Sequence, residues 1–409
     1  MPEATKTFEY VVRDRSGKLV KGRIEANNSA AVANRLKTMG LAPVAIDEVS
    51  STGLKRELSI PGFSNRVKLK DLSIMSRQLA TMITAGLSIL RALNILAEQT
   101  ENKTLGKVLS QVRSDVETGS SFSQSLTKHP LVFPPLMINM IKAGEVGGFL
   151  DTVLVSVADN FEAEVKLRGK VKSAMTYPVV VFCIAIVAVI GMLIFIVPVF
   201  TAMFASLGGE LPAPTKVLVF LSTVMKWTAL PLAIGVVAFV GWWSKHKNDR
   251  AVRERWDPLK LKMPVFGNLS RKIAVARFTR NLGTMLRSGV PILQALDIVG
   301  ETSGNIVIER AARSVQESVR SGQSLTGPLS QHPVFPPMVV QMMAVGEDTG
   351  ALDTMLEKVA EFYDQEVEAT TDALTSLIEP LMIAVLGTVI GGMVVALYMP
   401  IFGVFDLIQ

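Results

Sequence analysis

The sequence predicts a mainly α-helical membrane protein: two repeated six-helix bundles on the cytoplasmic side, three transmembrane helices, and a small amino-terminal α/β module of ββαβ order. Three observations carry that expectation. One stretch of chain returns about 203 residues later, so that Arg77 is matched by Arg280. Three apolar segments approach or exceed the length needed to cross a bilayer. Elsewhere, apolar residues recur at three- and four-residue spacing, the mark of a helix with one buried face.

The repeat is most distinct from His129 to Leu154, where 14 of 25 paired positions are identical to His332–Leu356 once Leu131 is counted as an insertion. Shared composition does not produce that many matches. His129-Pro130, Phe133-Pro134-Pro135, Gly144-Glu145 and Gly148 return as His332-Pro333, Phe335-Pro336-Pro337, Gly346-Glu347 and Gly350.

Taken in order, residues 1–49 form the small module. Phe8, Tyr10 and Val12 alternate with polar neighbours, as do residues 20–24 after Asp14-Arg15-Ser16-Gly17, which is a hairpin signal. Asn28-Ser29 can cap a helix from Ala30 to Met39, stopped by Gly40, and Val44-Ala45-Ile46 offers another strand. The polar start carries no signal peptide, so the amino terminus is expected in the cytoplasm. Residues 50–66, rich in Ser, Gly and basic side chains, read as a linker.

The first bundle is assigned to residues 67–172 and the second to 244–375. Leu72, Met75, Leu79, Met82 and Ile83 make one apolar stripe, mirrored by Val275, Phe278, Leu282, Met285 and Leu286. Further stripes lie on residues 105–116 and 150–165, and short pieces complete about six helices per repeat.

Between the bundles, no charge falls from Lys172 to Glu210, and residues 173–204 are the first span. Residues 205–226 form an outer loop in which residues 217–221 make a short separate interfacial helix. Residues 227–243 are the second span, with Trp227, Trp242 and Trp243 at its two interfaces. Residues 376–403 are the third span, and the tail 404–409 lies outside. Lys166, Arg168, Lys170 and Lys172 precede the first span, while Lys245, Lys247, Arg250, Arg253 and Arg255 follow the second. These basic collars place both bundles in the cytoplasm and attract anionic lipid. The formal charge of +6 is therefore read as a membrane signal, and no nucleic-acid partner is expected.

Catalysis finds no home in the sequence. It lacks a Gly-x-x-x-x-Gly-Lys-Ser/Thr phosphate loop, its single cysteine Cys183 sits in an apolar run, and His129, His246 and His332 have no metal-ligand spacing. No catalytic, cofactor or metal residue is expected, although the acidic side chains Glu145, Glu162 and Glu164 leave a cation as an alternative. Glu145 and Glu347 have two readings. Each can accept bonds from free N–H groups at a helix start beside a glycine that ends another helix, or can pair with Arg77 and Arg280 respectively. Tyr177-Pro178 and Glu379-Pro380 stand at equivalent places where a helix meets the membrane. Gly387 and Gly391 fit a close helix contact, though glycine is common in membrane helices generally. A transporter is the rival class. It is disfavoured because the duplicated mass is expected to be mostly soluble and no charge lies deep in the first or third span.

Several segments carry a family likeness. Asp71-Leu72 through Arg77-Gln78-Leu79-Ala80, Ala85-Gly86 with Arg91-Ala92-Leu93, and the Pro-Pro and Gly-Glu motifs are among them. So are Lys170–Pro178, Ile378-Glu379-Pro380 and Gly391–Phe402. Ala85-Gly86 returns in the second copy as Ser288-Gly289. The segments above resemble the inner-membrane platform proteins of type IV pilus and type II secretion machines, most closely the pilus branch. The resemblance implies a scaffold that docks to a hexameric cytoplasmic motor ATPase and couples its rotation to insertion or extraction of pilin subunits. It further implies contact with other inner-membrane pilus assembly proteins and self-association, a dimer being favoured.

Overall fold

The computed structural model describes residues 6–13, 19–26, 31–32, 36, 42–48, 66–206, 211–247, 249–264 and 266–407. The chain divides into two units, Met1–Arg66 and Val67–Gln409.

In the first unit β1 (Lys6–Arg13), β2 (Leu19–Ala26) and β3 (Ala42–Glu48) form an antiparallel sheet of order β2-β1-β3. Tyr10 lies opposite Gly22 on one side and Ile46 on the other, and the register shifts between Val11 and Val12. The helix expected from 30 to 39 and the linker fall mostly outside the described residues.

The second unit is helical throughout its described residues. α1 (Leu69–Thr84), α2 (Ile89–Gln99), α3 (Lys103–Glu117), α4 (Phe122–Thr127) and α5 (Pro135–Gly147) lead into α6 (Leu150–Gly191). α6 runs from the bundle into the apolar segment without a break at residue 172. A π-helical stretch, Met192–Ile196, joins it to α7 (Val197–Ser206).

α8 (Ala213–His246) is one helix. The separate interfacial helix expected at residues 217–221 does not exist, and residues 213–226 are not a loop. Pro214 sits in the first turn, where its missing N–H costs nothing, and no glycine or proline follows before Pro231. Nothing in the sequence stops the helix, and tertiary packing holds its first turns.

α9 (Arg250–Lys262) precedes α10 (Phe266–Arg287), α11 (Ile292–Thr302), α12 (Ile306–Arg320), α13 (Thr326–Ser330), α14 (Pro337–Thr349) and α15 (Leu352–Leu407). The second bundle therefore has seven helices where six were expected. The additional one, α9, earns its place through Asp257, 2% exposed, whose Oδ2 accepts the Ile306 N–H at 3.1 Å at the start of α12. The remaining six pair one-to-one with α1–α6.

Leu72, Met75 and Leu79 are buried, as are Val275, Phe278, Leu282 and Met285, and the cores of the two bundles merge into one continuous apolar cluster. Phe133 and Phe335 anchor the Pro-Pro turns into it, and α5 and α14 then start with proline at the first helical position. Three helices, Leu150–Phe204, Ala213–His246 and Leu352–Pro400, are long and apolar enough to cross a membrane. They meet around Leu193, Val197, Leu218, Met393 and Leu397.

Candidate functional site

The two Gly-Glu motifs occupy matching positions. Glu145 Oε1 accepts the Phe122 N–H at 2.6 Å and Oε2 the Ser123 N–H at 3.0 Å, which caps α4. Glu347 accepts the Leu325 N–H at 2.9 Å at the start of α13. An anionic group at a helix start satisfies orphan donors and complements the dipole. The ion pairs Arg77–Glu145 and Arg280–Glu347 are not formed. Both carboxylates are held by backbone N–H groups, and both arginines point elsewhere.

Arg77 donates to Glu162 from Nε at 2.7 Å and from Nη2 at 2.8 Å, and also to Asp159. Its counterpart Arg280 donates to Asp364. Glu162 and Asp364 are themselves 202 residues apart, so the same α1–α6 bridge recurs as α10–α15. That second repetition was the available signal. The hydrogen bond from Arg77 holds the Glu162 carboxyl below the usual glutamate range, and the bonds to Glu162 and Asp159 push the Arg77 guanidinium further up.

The glycines act in two ways. Gly86 (φ +87°), Gly289 (φ +71°), Gly148 (φ +75°) and Gly350 (φ +69°) end helices in the left-handed conformation. Gly144 and Gly346 instead permit close approach. A Cβ on Gly144 would lie 2.9 Å from Val153 Cγ2, and one on Gly346 2.8 Å from Leu352 Cα. Gln78 is exposed beside Ile74. Tyr177 is exposed and Pro178 buried within α6, while Glu379 and Pro380 are exposed within α15. Gly387 and Gly391 are exposed, with nothing within 4 Å of a Cβ at either. The structure brings none of these seven together with the Gly-Glu motifs. The His129 and His332 carbonyls close the turns before Phe133 and Phe335. Among the described residues, no group of three His, Cys, Asp or Glu side chains could hold a metal ion.

The seam between the repeats was invisible to the sequence. α6 lies against α10 and α15. Asn160 Nδ2 donates to Asn281 Oδ1 at 3.0 Å, Arg277 Nε donates to Glu164 Oε2 at 3.0 Å, and Lys170 pairs with Glu368. At the far end Gln294 Nε2 donates to Asn139 Oδ1 at 3.1 Å, and the Phe149 ring packs over Gly289. The seam is not two-fold. Asn160 is 6% exposed, whereas its repeat counterpart Phe362 is 42% exposed. The Arg280 side chain is 11% exposed beneath α6, and Arg77 is 36% exposed. Among the described residues of this arrangement, no nucleophile is paired with a base. It is a double bundle with one continuous core, whose two longest helices, α6 and α15, extend into membrane-length segments.

The comparisons agree with that architecture. Residues 75–198 and 278–400 each match the model of type II secretion system (T2SS) protein F, and residues 1–47 match that of the protein F N-terminal domain. The type IV pilus assembly protein PilC of Myxococcus xanthus is 45% identical over 407 residues, covering 100% of this chain and 97% of the relative. The PilC of Thermus thermophilus is 46% identical, with 97% of each chain covered. The type II secretion system protein F of Vibrio cholerae is 33% identical, covering 98% of this chain and 99% of the relative. With its protein F domain present twice and its length matched throughout, the chain belongs to the type II secretion system protein F family, in which the PilC proteins of type IV pilus assembly are also found.

Proposed function

We propose that this protein is the inner-membrane platform of a type IV pilus machine, relaying work from a cytoplasmic motor ATPase to insertion or extraction of pilin subunits. The observation that carries this reading is mechanical: two bundles with one merged core, each continuing into the membrane through an unbroken helix. Such a body cannot turn without moving its spans. The chain supplies no chemistry of its own in this reading. Energy enters from the ATPase, and the spans give the apolar pilin segment a guided route out of lipid.

The basic collars support a cytoplasmic amino terminus and cytoplasmic bundles, with the carboxyl terminus outside. Residues 1–49 then form a small α/β module on the cytoplasmic side. Phe362 and Ile74, exposed where their repeat counterparts Asn160 and Arg277 are engaged in the seam, support association of two copies. Relatives of both kinds keep a second use open, as the platform of a type II secretion system.

A crosslinked pull-down from native membranes tests the proposal: motor ATPase and pilin should be recovered together with this protein. Gly86→Trp and Gly289→Trp, which force a bulky residue into left-handed turns, should abolish surface fibres without changing the ATPase's own turnover. Normal fibres in both variants, or a pull-down free of both partners, would count against it.

A further inference from the structure

Where α6 leaves the bundle, a groove of about 490 Å³ opens between α6 and α10. Its walls are largely apolar: Val171, Met175, Val179 and Val180 from α6, and Ile273 from α10. Three cations border it, namely Arg168, Lys172 and Arg277. Arg168 and Arg277 share the single carboxylate of Glu164, and Lys172 is exposed with no ion pair among the described residues. Three positive charges thus face one negative charge.

We propose that this groove binds one anionic phospholipid of the inner leaflet. The inference rests on reading α6 as the first span with its basic end at the inner surface. The headgroup phosphate then sits against Lys172, within reach of Arg168 and Arg277, and an acyl chain lies along Met175, Val179 and Val180. From Arg168 to Val180 the helix rises roughly 18 Å, enough to carry a lipid from the headgroup zone into the hydrocarbon. A zwitterionic headgroup would add a fourth cation to the cluster. The lipid would also touch Arg277, which bridges the two repeats through Glu164, so its binding would reinforce the seam.

The test uses the full-length protein purified in detergent and exposed to phosphatidylglycerol, phosphatidylcholine or inorganic phosphate, with bound lipid counted by native mass spectrometry. The wild type should hold one phosphatidylglycerol in preference to phosphatidylcholine, and millimolar inorganic phosphate should not displace it. Lys172→Glu and Val179→Trp should each weaken retention at least tenfold. Lys172→Arg should restore it, and Lys142→Glu, a surface charge change on α5, should leave it unchanged. Equal retention of both lipids, unaltered binding in Lys172→Glu, or displacement by phosphate would overturn the assignment. So would a photo-crosslinker at Val180 that captures a second copy of the chain or another polypeptide in place of lipid. Release of the protein from membranes by alkaline carbonate would instead refute the spanning role of α6, which separates the two failures.

Discussion

Glu145 shows what a single side chain contributes to this fold. Its two oxygens take the first free N–H groups of α4, and removing them leaves buried donors unpaired. Glu145→Ala should therefore cost about 1–3 kcal/mol in chemical unfolding of the detergent-solubilised protein, with Glu145→Gln intermediate. The arginine bridges differ between copies because their exposure differs. Arg77→Ala removes an exposed pair and should cost under about 1 kcal/mol. Arg280→Ala removes a guanidinium that is 11% exposed from a carboxylate that is 36% exposed, and should cost about 1–2 kcal/mol. Equal losses in the two variants would show that burial of the second bridge has no energetic weight. The Glu162 carboxyl is held low in the folded state, so its contribution is fully present above the usual glutamate range. It disappears as pH falls through the depressed value. In acid titrations Arg77→Ala should lack that part of the loss. Both arginines and both Gly-Glu motifs were legible in the sequence, but their pairing was not. A helical repeat fixes which face a residue occupies, whereas the height at which Arg77 meets α6 depends on how α1 packs along it.

At the scale of elements, glycines divide by the demand they meet. Gly144→Ala would press a methyl into Val153 across the α5–α6 junction, a clash that costs about 1–3 kcal/mol. Gly148→Ala has open space and suffers only its left-handed backbone, about 1–2 kcal/mol. A larger unbranched side chain, as in Gly144→Leu and Gly148→Leu, should separate the two effects, because only the packing site worsens steeply with side-chain size. Thermal unfolding of the four variants, Ala and Leu at each position, measures this directly. Helix α8 marks the limit of reading elements from hydropathy. The outer loop was expected to end at residue 226, but the backbone passes through Lys226 as one helix, while Thr215 donates to the Ala396 carbonyl and Ser222 to the Leu193 carbonyl. The second of these acceptors lies in the π-helical stretch, where carbonyls lose their regular partners. Those bonds reach across 181 and 29 residues, distances at which local pattern carries no information. Hydropathy did locate three spanning segments, since an uncharged run of that length has few other uses.

At the scale of the molecule, duplication has produced two bundles that are alike inside and different at their surfaces. The interiors were legible because buried positions repeat: Leu79 with Leu282, Phe133 with Phe335. The seam was not, because its members differ between the copies: Phe362 stands where the first copy has Asn160, and Ile74 where the second has Arg277. The relay proposed above requires this body to be stiff up to the point where α6 and α15 would enter lipid. Inserting Gly-Ser-Gly-Ser after Ser173 would break it at the membrane surface without touching either bundle core. Inserting four alanines at the same place keeps α6 helical while lengthening it by about 6 Å and turning its ends by roughly 40°. Both variants should stay in the membrane and still recover the motor ATPase in crosslinked pull-downs. The glycine-serine insertion should assemble no surface fibres, and the alanine insertion should retain a measurable fraction, because a displaced rigid helix still transmits torque and a flexible one does not. Fibre counts by electron microscopy decide the matter, and full assembly through the flexible insertion would mean that force reaches pilin without passing along α6.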